Sequence, residues 1–328
     1  MKRYYPIVLA LAVVALVGYA VMRMGTAAPS ASAATSSTTP SAASKQEDLG
    51  AFGRAQRCAH TPRFLVRMGI AQPVLIDLSQ KRYTGIALRH GPHFSRVLHP
   101  KQWEQYAHFS TYALDEAGNI YLVPTPFISI RPTTFTLQRK LFRLASDSGR
   151  VEIFFDFDDV RPSERNPYGV NAVAYDCRDH TLWVGAIDES DYTTQRGVIY
   201  HLDPRTRTIL SRYEGFDALT LTRIESERGS FLLAGSAREN VLYAFAIDGK
   251  GLKAPQALLE IPNATERIRK IKVTAPNRLE LQTIPFSYSL IAQTAEHDRR
   301  HYDAQWHPDT HRWSLQEKHP QNPLKSPK

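Results

Sequence analysis

The sequence predicts an all-β fold, a β-propeller of five to six four-stranded blades preceded by one N-terminal transmembrane helix. Three observations lead there. Four segments repeat one grammar, in which an alternating strand, a polar turn, an apolar strand and an outer hairpin follow one another. The composition, with Gly 17, Pro 21, Tyr 15 and Phe 14, suits turns and pleated strands better than helices. The third is an uncharged apolar run, 6–22, close behind Lys2 and Arg3.

The chain of 328 residues carries a net charge of +9, with 42% hydrophobic and 22% charged residues. That balance permits a sizeable core and excludes a wholly disordered chain and a multi-span membrane protein. Two cysteines exclude a disulfide-built mini-scaffold and a Cys-rich zinc module. At about 1.5 Å per residue the run 6–22 is near the short limit for a spanning helix. Its length, and a small-x-small site that arrives only at Ala31-Ser-Ala33, favour an uncleaved signal anchor over 1–25. Lys2 and Arg3 then stay in the cytoplasm and the rest of the chain lies outside it, in the periplasm if the cell is Gram-negative. Secretion after cleavage is the competing reading. Residues 26–45 are almost all Ala, Ser, Thr and Pro, bury too little to offset their ordering entropy, and read as a flexible linker. The propeller domain follows over 46–316, with a polar tail over 317–328.

The inner strand pairs are 109–115 with 120–123, 170–176 with 181–185, 219–224 with 230–234, and 268–273 with 278–281. Outer hairpins follow each: 141–144 with 151–155, 198–202 with 208–210, 241–245 with 257–259, and 302–306 with 312–315. Ser-Gly, Asp-Pro and Asp-Gly pairs in the turns supply positive or fixed φ, which is what closes a hairpin. From Ile120 to Leu182, Leu232 and Leu279 the steps are 62, 50 and 47 residues. The first is lengthened by loops at 124–138 and 160–167. Four strands in roughly 40–50 residues is the rhythm of propeller blades. A weaker copy at 73–77 and 83–88 makes five, and a sixth would need strands shared between the termini. No stretch of the body keeps a long 3.6-residue period.

This rhythm resembles the NHL and TolB-like six-bladed propeller superfamily, which includes the gluconolactonase-like senescence-marker proteins. The resemblance covers most of the chain and implies architecture. Through its lactonase members it also implies a divalent metal in the central channel, held by an Asn that opens a blade and an Asp after the next strand. Tyr168-Gly-Val-Asn171 puts Asn171 at the first position. Ala186 stands at the second, with Asp188 two residues later. Asn171 and Asp188 are therefore the metal candidates of an alternative function, a channel-sited lactonase or esterase-like hydrolase. A hard cation needs several converging oxygens, which this pair does not supply. Without that alternative no cofactor is expected, and Asn171 caps a strand start by bonding backbone.

Other chemistry is thin. His90, His93 and His99 form one histidine cluster and His297, His301, His307 and His311 another, but strand spacings do not bring either set to one face. There is no Gly-x-Ser-x-Gly, no Gly-rich phosphate loop and no local signature around either cysteine, so no catalytic residue is assigned. Glu152, Asp156, Asp158 and Asp159 read as a solvated acidic rim. Asn263 opens a glycosylation sequon of the kind expected by chance. Cys58 and Cys177 either pair, pinning the N-terminal arm to a blade, or remain buried thiols. The basic excess is spread along the body and, outside the cytoplasm, suits anionic envelope components or acidic proteins and not nucleic acid. The residues point to a membrane-anchored, extracytoplasmic binding or scaffolding module. Its expected partner is a protein or a cell-envelope polymer, met by the loops 124–138 and 187–197 at one propeller face.

Overall fold

The structure, a computed structural model, describes residues 49–54, 58–70, 73–79, 82–106, 108–126, 135–249, 251–289 and 299–318. The expected anchor, the linker, His297, residues 319–328 and most of the 124–138 loop lie outside them.

The described residues form five antiparallel sheets, numbered in chain order, and the architecture is a five-bladed β-propeller. The first has three strands, β1 (Leu75–Asp77), β2 (Ala87–His90) and β3 (Arg96–Leu98). The second has β4 (Phe109–Leu114), β5 (Ile120–Pro124), β6 (Lys140–Leu144) and β7 (Val151–Asp156). The third has β8 (Val170–Asp176), β9 (Thr181–Ala186), β10 (Val198–Asp203) and β11 (Thr208–Glu214). The fourth has β12 (Ala218–Ser226), β13 (Gly229–Ser236), β14 (Val241–Asp248), the short β15 (Gly251–Leu252) and β16 (Gln256–Glu260). The fifth has β17 (Glu266–Ala275), β18 (Arg278–Pro285), β19 (Arg300–His307) and β20 (Arg312–Lys318). The six-bladed count of the resembled superfamily is thus corrected to five among the described residues. The one α-helix described is α1 (Arg63–Arg67).

Burial explains the strand sequences. Every residue of β9, Thr-Leu-Trp-Val-Gly-Ala, is buried, because a second strand packs against a neighbouring sheet on both faces and so reads as a continuous apolar run. The outer strand β20 alternates with exposed polar and charged residues, which discourages pairing with another chain, whereas β11 leaves Ile209 and Leu210 exposed. Aromatic side chains fill the wedges between sheets. Trp103, Phe109 and Phe142 join the first to the second, and Phe154, Phe157 and Tyr200 the second to the third. Trp183, Phe216 and Phe245 join the third to the fourth, and Phe231, Tyr302 and Trp306 the fourth to the fifth. Approach is closest where a side chain is missing: a Cβ on Gly235 would lie 2.2 Å from the Ile268 carbonyl oxygen of the next sheet.

The inner strands share a local device. β4, β8, β12 and β17 each carry a register shift near their start, leaving Ser110, Asn171, Leu219 and Arg269 as the extra residues. A bulge adds one residue to one strand and re-aims its side chain. Repeated around the ring, it sets four side chains at one end of the central channel.

The other end is crossed by the N-terminal arm. Phe52 bridges Ser226 and exchanges hydrogen bonds with Asn277, between the hairpin turns of the fourth and fifth sheets. Cys58 is joined by a disulfide to Cys177 in the first turn of the third sheet, with Cα atoms 5.7 Å apart. The Arg63 and Phe64 amides donate to the Ser146 hydroxyl and carbonyl in the second sheet. One short arm therefore ties four sheets together.

Candidate functional site

The innermost strands enclose a central cavity of about 310 Å³. Thr111, Tyr112, Val173, Tyr175, Thr220, Thr222 and Lys270 line it, and Cys58 and Ala59 of the arm close its floor. At that floor Arg223 of β12 donates through Nε to Asp176 of β8 at 2.8 Å, and its guanidinium also reaches Glu225 and Ser230. Burial pushes the Glu225 carboxyl up, but hydrogen bonds from Arg223 and Ser230 outweigh it and hold the group below its ordinary value. Burial also raises the Tyr112 and Tyr175 phenols. The cavity wall is thus hydroxyl-rich, and Lys270 is an exposed cation on it with no described carboxylate partner.

At the entrance the bulged residues meet. Arg269 Nη1 donates to Asn171 Oδ1 and to the Leu219 carbonyl, both at 3.0 Å, while Asn171 Nδ2 donates to the Ala218 carbonyl at 3.3 Å. Arg269 as a residue is half-buried, but its guanidinium is surrounded by protein at interior density, and burial pulls its pKa down. Above it sits an aromatic cluster of Tyr168, Phe286 and Tyr288, with Tyr168 and Phe286 ring centres 5.1 Å apart.

The loop 187–197 is built on Asp217. This carboxylate is fully buried and accepts the Ser190 hydroxyl and the Tyr288 hydroxyl, each at 2.6 Å. Burial pushes it above its ordinary value, and those two hydroxyls with the Gly197 amide pull it part of the way back. Ser190 Oγ in turn accepts the Arg196 amide, and the Ser190 carbonyl accepts Asn166 Nδ2. Gly197 permits the approach, since a Cβ there would lie 2.3 Å from Asp217 Oδ1. The loop holds Tyr192 out to solvent, 67% exposed, with its hydroxyl on Ser287 and its ring edge-on to Tyr288.

The two metal candidates are not brought into a donor set. Asn171 gives its oxygen to a guanidinium, a cation standing where a metal would have to be. Asp188, raised by burial, accepts the Arg161 amide at 2.7 Å on the neighbouring loop. Among the described residues no group of three His, Cys, Asp or Glu is placed to hold a metal ion. As placed, Asn171 and Asp188 do not by themselves make a donor set for a hard divalent cation. The histidines serve locally: His99 bonds the Ile86 carbonyl and Glu104, His301 lies 3.8 Å from Glu280, and His307 bonds Ser314. The acidic rim is paired across strands, Glu152 with Arg143, Asp156 with Arg139 and Lys140, and Asp159 with Arg212. Asn263 closes a turn by accepting the Thr265 amide and hydroxyl.

Sequence reasoning passed over Arg269 and Asp217. The first left a signal, the polar pair Arg269-Lys270 between Ile268 and Ile271, which breaks the two-residue alternation as a bulge does. Asp217 left none, because a buried turn aspartate and a solvated one look alike in sequence.

No family model matches the chain, and no curated protein matches it. Among solved structures it is similar to a glucose dehydrogenase, 16% identical over 70% of this chain and 76% of that one, with a TM-score of 0.38. A Myceliophteria thermophila Cps50 (Swd1) β-propeller domain is 9% identical over 70% and 79%, with a TM-score of 0.36. A Bacteroides ovatus protein described as xyloglucan PUL GH43B is 10% identical over 63% and 39%, with a TM-score of 0.35. Likenesses this distant carry no argument, and the five-bladed propeller of this chain rests on its own five sheets.

Proposed function

We propose that this chain is a membrane-anchored, extracytoplasmic binding module that recognises a protein or cell-envelope polymer at the propeller face bearing the 187–197 loop. The observation that carries the reading is Tyr192, a large aromatic held in solvent on a loop whose base is fixed to a buried carboxylate. Aromatic residues on pre-organised supports are the residues that anchor interfaces, since they bury much area at little entropic cost. The apolar run 6–22 behind Lys2 and Arg3 supports the anchor, and the Cys58–Cys177 bond suits an oxidising compartment.

The test is site-specific photo-cross-linking in the full-length chain within its native membranes. A photoreactive side chain at position 192 is expected to give a discrete adduct, and one at Ile209, exposed on the outer strand β11, is not. No adduct at 192, or equal adducts at both, removes the assignment. Carbonate extraction with protease accessibility tests the anchor and its orientation: the body is expected to stay with the membrane and to be cut only from the outer side.

A further inference from the structure

The channel holds a charge imbalance. Arg223 at its floor is matched by Asp176 and Glu225. Among the described residues Arg269 at its entrance has no acidic partner: both of its hydrogen bonds leave through Nη1 to neutral oxygens, and Arg299, another cation, acts on it electrostatically. The next residue, Lys270, lines the cavity and also has no described carboxylate partner. Buried charges are normally paired, because removing an ion from water costs several kcal/mol. An arginine cannot escape that cost by releasing its proton. Nε and Nη2 of Arg269 bond to no described residue, so one edge of the planar fork is left over, the edge that takes a carboxylate or phosphate through two parallel hydrogen bonds.

The bulge at Arg269 is what makes the arrangement. On a regular strand Arg269 and Lys270 would point to opposite faces. The inserted residue re-aims the side chain, and Asn171 and the Leu219 carbonyl, at the equivalent positions of two other sheets, hold Nη1 in place. The cavity that Lys270 lines, about 310 Å³, is at the lower end of small-molecule sites and too small for a folded partner. We propose that Arg269 and Lys270 form a binding site in the propeller channel for a small oxyanion, a molecule bearing a carboxylate or phosphate group. The site is separate from Tyr192 and stands or falls independently of partner recognition on the outer face.

The experiment is thermal unfolding of the full-length chain in detergent, titrated with inorganic phosphate, with acetate, and with chloride at matched ionic strength. Phosphate, acetate or both are expected to raise the melting temperature saturably above the chloride curve, as ligands of the native state do. Whichever does so names the head group. Arg269→Met is expected to weaken the effect about tenfold or more, the weight of a charge-assisted bond, and Lys270→Met a few-fold. No shift above chloride with either anion overturns the site, as does a shift that survives unchanged in Arg269→Met. Should Arg269→Met not fold, phenylglyoxal modification of the wild-type chain, mapped by mass spectrometry, replaces it. Selective protection of Arg269 by the stabilising anion supports the site, and modification unaffected by that anion overturns it.

Discussion

Arg223 Nε lies 2.8 Å from a carboxylate oxygen of Asp176, with 2% and 0% of the two side chains exposed. The bond joins the inner strands of the third and fourth sheets under the channel floor. Arg223→Met leaves the fully buried Asp176 charge without its guanidinium, which typically costs about 3–5 kcal/mol, whereas Asp176→Leu leaves Arg223 its second carboxylate, Glu225. Arg223→Met is expected to lower the urea midpoint by that measure and Asp176→Leu by less, while the double substitution loses less than the two together. A double variant as unstable as the sum of the singles would show that the pair is not coupled.

The disulfide closes a loop with a sequence separation of 119 residues. In the chain-entropy account such a cross-link removes about 4–5 kcal/mol of freedom from the unfolded chain. Reduction, or Cys58→Ser with Cys177→Ser, is expected to lower stability by up to that amount. It is also expected to open the arm to proteolysis near residue 58, because contacts at Phe52 and Phe64 then hold only its two ends. Equal urea midpoints with and without reductant would remove the disulfide from the account of stability.

Acid stability follows from Asp303. Burial pushes its carboxyl up, but Lys318 and Arg278 outweigh it and hold it below 3.8. The folded value lies under the unfolded one, so the stabilisation is present above about pH 4 and is lost as pH falls through the folded value. Asp303→Asn is expected to lower the urea midpoint at neutral pH and to flatten its fall below about pH 4. A variant that keeps the wild-type slope shows that other carboxylates carry it.

Close approach of two sheets makes the last prediction. Gly235→Ala would push a methyl group to 2.2 Å from the Ile268 carbonyl oxygen, both of them backbone-held. Overpacking of this kind typically costs about 1–3 kcal/mol. Gly53→Ala, with nothing within 4 Å of the added carbon, is the control and is expected to leave the melting temperature near that of the parent.

Much of the fold was legible in sequence for a local reason. The strands of sheets two to five fall within a few residues of their predicted bounds, because alternation and turn chemistry act over four to eight residues and each blade writes them afresh. The fourth repeat, 268–273 with 278–281, is the inner half of β17 and β18. The arm was not legible: Leu49 and Phe52 sit among polar and small residues with no period, and only the turns at Ser226 and Asn277 give them a place. The candidate site was legible in part. Asn171 was singled out as an oxygen donor and is one, but its acceptor atom serves Arg269, which lies 98 residues further on.

By itself the sequence determined the blade rhythm, the strand bounds, the uncharged run near its start and the presence of two cysteines able to pair. Each of these is a property of neighbouring residues or of composition. Tertiary structure alone decided that the described sheets number five, that Cys58 lies against Cys177, that Asp217 organises the 187–197 loop, and that Arg269 meets Asn171 and the Leu219 carbonyl with no carboxylate partner among the described residues. Those outcomes depend on which inner strands stand side by side. Inter-sheet contacts set by aromatic wedges and by bulges at matching heights choose that arrangement, and neither leaves a period for the sequence to display.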